Sequence, residues 1–141
     1  MSWLNRKSVL IPIDFSDLSY QALGPAKELA TDGSSLKLIH VLAPLHPADP
    51  AAMWDAISDD DRKDKVRAFT HKKLGELGYD DLPIQVVIGD TTSKIVDYAQ
   101  EIDADLIVMP SHGRKGVSRF LIGSVAEQVV RLAHCPVLIL K

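Results

Sequence analysis

Short, almost uninterrupted apolar runs recur along the chain and are separated by longer stretches with a helical period. Ser8-Val9-Leu10-Ile11-Pro12-Ile13 is the first run, Ser35 to Leu42 the second and Ile84 to Ile88 the third. Asp105 to Met109 and Pro136 to Leu140 complete the set. Continuous rather than alternating hydrophobicity is the mark of strands buried on both faces, as in a parallel sheet. Between the runs, Asp17 or Ser19 caps a helix through Ala30 with Leu18, Ala22, Ala26, Leu29 and Ala30 on one face, and Gly24-Pro25 is placed to bend it. Ser58, followed by Asp59, Asp60 and Asp61, starts a second helix that runs to Leu77 and ends at Gly78. A third begins at Thr92 or Ser93 and continues to about Ile102. The fourth covers Ser124 to Leu132, with Pro136 opening the next strand. Such alternation predicts right-handed parallel crossovers: an α/β, doubly wound, Rossmann-like five-stranded parallel sheet flanked by four helices. The irregular stretch Ala43 to Ile57, with Pro44, Pro47 and Pro50, follows the second strand and is a candidate lid or partner loop.

The chain has 141 residues, which corresponds to a single domain over 1–141 on the usual prior of roughly 150 residues per domain. Hydrophobic residues make up 46% and charged residues 25%, an ordinary globular balance that needs no disulfide or metal to hold a core. The one cysteine, Cys135, excludes an internal disulfide framework and fits a reducing, cytoplasmic location. A net charge of −3 argues against nucleic acid as a partner, and no apolar run is long enough to cross a membrane.

In open α/β sheets, ligands bind beyond the carboxyl ends of the strands where the strand order reverses. That rule selects Pro12-Ile13-Asp14, Val41-Leu42, and the segment from Met109 to Ser124. The last has the ingredients of a phosphate cradle. Gly113 and Gly116 let backbone amides approach a ligand, Gly123-Ser124 opens a helix whose free N–H groups attract anions, and Arg114, Lys115 and Arg119 add positive charge. It is neither a Walker A loop nor a dinucleotide fingerprint. The first would need Gly-Lys-Ser/Thr, and the second would place its glycines after the first strand, where Pro12-Ile13-Asp14-Phe15 stands.

Asp14, at the end of a buried strand, is read as functional, with capping of the turn over Ser16 to Ser19 as the alternative. His112 can reach a phosphate or face solvent, and His40 is read as a satisfied sheet-edge histidine. Cys135 is structural, and the histidines form no metal-ligand cluster. No Ser-His-Asp or Cys-His constellation can be assembled, so covalent catalysis is not expected. An acidic pair after the first strand, which a phosphoacceptor receiver would need, is missing too.

The segments Val9 to Ser16, His40-Val41, Gly113 with nine residues to Gly123-Ser124, Ser124-Val125-Ala126-Glu127, and Cys135 to Ile139 together resemble the universal stress protein family, of the UspA type. Its nucleotide-binding members carry Gly, two residues, Gly, nine residues and Gly-Ser or Gly-Thr; the first of those glycines is Pro110 here. The resemblance implies a stress-response regulatory protein binding ATP, ADP or AMP, with or without Mg2+, at most a slow ATPase, its occupancy modulating the lid, the dimer or a partner surface. Pro12, Ile13, Asp14, Val41 and Met109 would surround base and ribose. Pro110, His112, Gly113, Arg114, Gly123, Ser124 and Val125 would lie around the phosphates. If the amide missing at Pro110 normally bonds a charged group, its loss weakens binding roughly 10- to 100-fold. The same resemblance implies a homodimer through Val137, Leu138, Ile139 and Leu140. The alternative, favoured by Pro110, is a nucleotide-free dimeric interaction module of the same fold.

Overall fold

A computed structural model describes residues 5–32, 35–46, 48, 58–79, 82–111 and 122–141. The elements, in chain order, are β1 (Val9–Pro12), α1 (Asp17–Gln21), α2 (Leu23–Leu29), β2 (Leu36–Leu42), α3 (Asp59–Glu76), β3 (Ile84–Ile88), α4 (Thr91–Glu101), β4 (Leu106–Pro110), α5 (Ser124–Leu132) and β5 (Val137–Leu140). All five strands are parallel in the order β3-β2-β1-β4-β5. The chain therefore winds outward from β1 in one direction, returns, and winds outward from β4 in the other. The reversal lies between β1 and β4. This is the Rossmann-like α/β sheet that the apolar runs predict.

Both faces of the sheet are buried, which is why the strands read as continuous apolar runs. Val9, Ile11, Leu36, Leu38, Leu106 and Val108 pack on one side with Leu23, Ala26 and Leu74. Leu10, Ile39, Ile107 and Met109 pack on the other with Ile95, Ala99, Ala126 and Val129.

The helix starts differ from the expected ones in instructive ways. The first is capped by Ser16, whose side chain accepts the Ser19 N–H, rather than by Asp17 or Ser19. The expected single helix is divided at Ala22 into α1 and α2. Pro25 has no N–H to give the Gln21 carbonyl and its ring crowds that carbonyl, so α1 stops there. Leu18, expected on the inner face, is 45% exposed. The long helix starts at Ser58, which accepts from the Asp61 N–H, and closes at Gly78 with φ +86° as expected. α4 is capped by Asp90, two residues ahead of Thr92, its carboxylate accepting from both the N–H and the hydroxyl of Ser93.

Gly89, between β3 and α4, has φ +151°, and an added Cβ would meet the Lys94 side chain at 2.6 Å. Its N–H donates to Leu42 O at 3.0 Å and ties the turn to the sheet; the Lys94 side chain can move aside, so the cost of a Cβ lies in the backbone conformation. Gly89→Ala is therefore expected to cost about 1–3 kcal/mol in a urea melt, a region of backbone space open essentially to glycine alone.

Candidate functional site

At the carboxyl edge of the sheet, above the β1/β4 reversal, lies a cavity of about 440 Å3. Its size falls within the ordinary range for small-molecule sites. β1 and the turn after it contribute Pro12, Ile13 and Asp14; β2 contributes Ile39, His40 and Val41; β4 contributes Met109 and Pro110. The first two turns of α4 supply Thr91 and Ile95, and α5 begins at the rim with Gly123, Ser124, Val125 and Ala126. Thus Pro12, Ile13, Asp14, Val41, Met109, Pro110, Gly123, Ser124 and Val125 come together as the sequence suggests. His112, Gly113 and Arg114 lie outside the described residues, as do residue 47 and residues 49–57 of the expected lid.

The walls divide by chemistry. Ile39, Val41, Ile95 and Met109 form an apolar slot between the sheet and α4. Two helices start at the cavity, and their positive ends are not equivalent. The α4 end is already occupied by the Asp90 carboxylate. Two hydrogen bonds from Ser93 hold that carboxylate below its usual titration range. The α5 end is capped by Gly123, which has no side chain to bond the first turn. Among the described residues no side chain caps this start, and the first main-chain donors of a helix favour a negative group. Gly123 itself has φ −60° and ψ 155°, open to any residue, and its own N–H is committed to Ser111 O at 2.6 Å. The donors at this helix start are those of the residues that follow it.

Asp14 lines the cavity and also caps its own turn: Oδ1 accepts the Ser16 N–H at 3.0 Å and the Ser16 hydroxyl. The capping reading of this residue is met, and the same side chain stands at the cavity wall. Phe15 follows with φ +69°, uncommon for a bulky side chain. Its ring lies 4.3 Å from that of His40 and 5.3 Å from that of Phe69. His40 is satisfied, as expected, but not at a sheet edge, because β2 is flanked by β3 and β1. Its Nδ1 lies 2.6 Å from Ile13 O. A carbonyl only accepts, so Nδ1 carries the proton.

Burial pushes the His40 imidazole below its ordinary value of 6.5, and the Ile13 carbonyl and the Asp14 carboxylate only partly oppose this. The unfolded chain then takes up a proton that the folded chain declines, so stability is lost as the pH falls through 6.5 toward the folded value. The melting temperature is expected to fall between about pH 7 and about pH 5, and His40→Gln is expected to flatten that slope.

The hydrophobic runs did not single out Ser19, Thr91, Ile95 or Ala126 as neighbours of the cavity. Thr91 and Ile95 come to it because α4 follows β3 from the same edge of the sheet, a consequence of topology. The Thr92 hydroxyl reaches Gln128 Oε1 at 2.9 Å and ties the start of α4 to α5. Among the described residues no group of three or more His, Cys, Asp or Glu side chains is placed to hold a metal ion. Nor is any helix among them long and apolar enough to cross a membrane.

Comparison with known proteins agrees with this architecture. The family model described as "Universal stress protein family" matches residues 5–141. Universal stress protein MJ0531 of Methanocaldococcus jannaschii is 34% identical over 96% of this chain and 82% of its own. Universal stress protein YxiE of Bacillus subtilis is 30% identical over 94% of this chain and 97% of its own. Among solved structures, protein MJ0577 superposes with a TM-score of 0.70 at 27% identity, covering 96% of this chain and 95% of that one. A universal stress protein in complex with cAMP superposes with a TM-score of 0.63 at 27% identity, covering 96% of this chain and 97% of that one. On the strength of its sheet order and a family match that runs from residue 5 to the last residue, this chain belongs to the universal stress protein family.

Proposed function

We propose that this chain is a stress-response regulatory protein that binds an adenine nucleotide (ATP, ADP or AMP) in the cavity above the β1/β4 reversal. The observation that carries the reading is the pairing of an apolar slot with a glycine-capped helix start at one cavity. A nucleotide has the matching halves: a flat, weakly polar base and an anionic tail. In this reading the base lies between Val41 and Met109, Asp14 accepts from a ribose hydroxyl or a base amino group, and a phosphate meets the first amides of α5 and the Ser124 hydroxyl. His112, Gly113 and Arg114 belong to the same proposed phosphate end. Mg2+ would enter as the counter-ion of the phosphates. The complex of a similar protein with cAMP lends support, since cAMP has the same two halves. No hydrolytic step is assigned.

The test has two parts. Heat-denatured protein is spun down and the supernatant is analysed for adenine absorbance and by mass spectrometry. Nucleotide-free protein is titrated calorimetrically with AMP, ADP and ATP. Saturable binding of at least one supports the reading; no heat from any of them, with folded protein, refutes it.

Pro110 favours a second reading, a nucleotide-free interaction module, because a residue without an N–H stands on the cavity wall. Both readings share a proposed homodimer in which β5 pairs with its symmetry mate. β5 is an edge of the sheet, and Val137, Leu138, Ile139 and Leu140 are only half-buried there. An uncovered apolar edge strand invites such pairing.

A further inference from the structure

Pro12 and Pro110 both stand in interior strands of the sheet, where a residue without an N–H breaks a rung and is rarely found. Their placement is not independent. In a parallel ladder, alternate residues of a strand bond to opposite neighbours. Ile13 N–H donates to Ile39 O, so the odd-numbered residues of β1 turn to β2 and Pro12 turns to β4. Ile107 N–H donates to Pro136 O and Ser111 N–H to Leu140 O, so the odd-numbered residues of β4 turn to β5 and Pro110 turns to β1. The two prolines face one seam.

Along that seam the pairing ends at Leu10↔Ile107. Continued by the same register, the next two rungs would be a residue-12 N–H to Val108 O and a residue-110 N–H to Pro12 O. Proline removes both. On their outer sides the same two strands stay paired to the end, Pro12 with Ile39 and Pro110 with Leu140. The separation is thus confined to the place where the cavity opens, and both prolines line it.

We propose that Pro12 and Pro110 are a pair of positioning residues that keep β1 and β4 unzipped, so that the slot is built into the fold before any ligand arrives. They sacrifice two rungs of the sheet for an open crevice. Pro110 then acts on the ligand through the width of the seam rather than through a missing contact. This runs against the expectation that restoring an amide at 110 tightens binding. The effect on ligand rests on the nucleotide reading above; the effect on the strands does not.

The test is the double variant Pro12→Val/Pro110→Val of the full chain, which restores both N–H groups while keeping apolar bulk. The amides of residues 12 and 110 are expected to exchange with solvent at least tenfold more slowly than in an unstructured chain, the melting temperature to rise, and AMP affinity to fall at least tenfold. Amides that exchange as in an open chain would overturn the proposal. So would affinity that is unchanged or increased, the latter because the restored amide would then be serving the ligand. If the wild-type protein does not bind AMP, ADP or ATP, the nucleotide reading fails, and the exchange rates and melting temperature alone decide the seam. Should the double variant not fold, Pro110→Val and Pro12→Val each test one rung by the same measurements.

Discussion

Gly123→Val is expected to weaken AMP binding by at least tenfold while leaving the fold in place. The separation of the two effects follows from the backbone. Gly123 sits at φ −60° and ψ 155°, a conformation valine adopts without strain, and the bond from its N–H to Ser111 O needs no particular side chain. What changes is the approach to the start of α5, where a branched side chain would stand in front of the amides that follow. A bond to a charged group is worth about 1.5–3 kcal/mol, so losing one already accounts for roughly tenfold or more. Ser124→Ala removes a hydroxyl donor from the same corner without adding bulk, and is expected to weaken binding as well. Calorimetric affinities unchanged in both variants, with unchanged melting temperatures, would remove the phosphate from this helix start.

Proline at position 139 is expected to convert a dimer into a monomer. Ile107 N–H donates to Pro136 O and Ser111 N–H to Leu140 O, so the even-numbered residues of β5 serve β4 and the N–H of Ile139 points away from the sheet. Ile139→Pro therefore takes a donor from the free edge and none from the internal ladder, which is the position in a sheet where proline is tolerated. Sedimentation velocity at micromolar concentration should show the wild-type protein as a dimer and the variant as a monomer, with circular dichroism reporting a retained fold. A monomeric wild-type protein, or a variant that still dimerises, would place the interface elsewhere. The exposed apolar side chains of α5, Val130 and Leu132, are the next surface to examine in that event.

Much of this architecture could be read directly from the chain because burial on both faces writes itself as unbroken apolar runs. β3 spans Ile84–Ile88 and α5 spans Ser124–Leu132, the bounds their patterns suggest. Helix starts were less legible. Ser16, Asp90 and Ser58 all cap by the same chemistry, but Ser, Thr and Asp residues cluster at each of these starts and geometry chooses among them. The division of the first helix was foreshadowed by Pro25, but the end of α1 at Gln21, four residues earlier, comes from the carbonyl that proline leaves without a partner.

The cavity was legible where it depends on strand ends and obscure where it depends on strand order. Pro12, Ile13, Asp14, Val41 and Met109 each lie within a residue of the end of a run, so they could be named without knowing which strands are neighbours. Thr91 and Ile95 needed the sheet order, which brings α4 over the slot. Asp14 shows why a single role should not be forced on a residue: the carboxylate that faces the cavity also fastens the turn to α1. Pro110 changed meaning most. Read along the chain it is a lost donor; seen across the seam from Pro12 it is half of an opening.

The most direct test of the central claim is a crystal of the full-length protein grown with saturating AMP. The account predicts the phosphate at the first turn of α5, within hydrogen-bond reach of the amides after Gly123, and the base between Val41 and Met109. An ordered nucleotide seated anywhere else, or a cavity left empty while calorimetry reports binding, would contradict it.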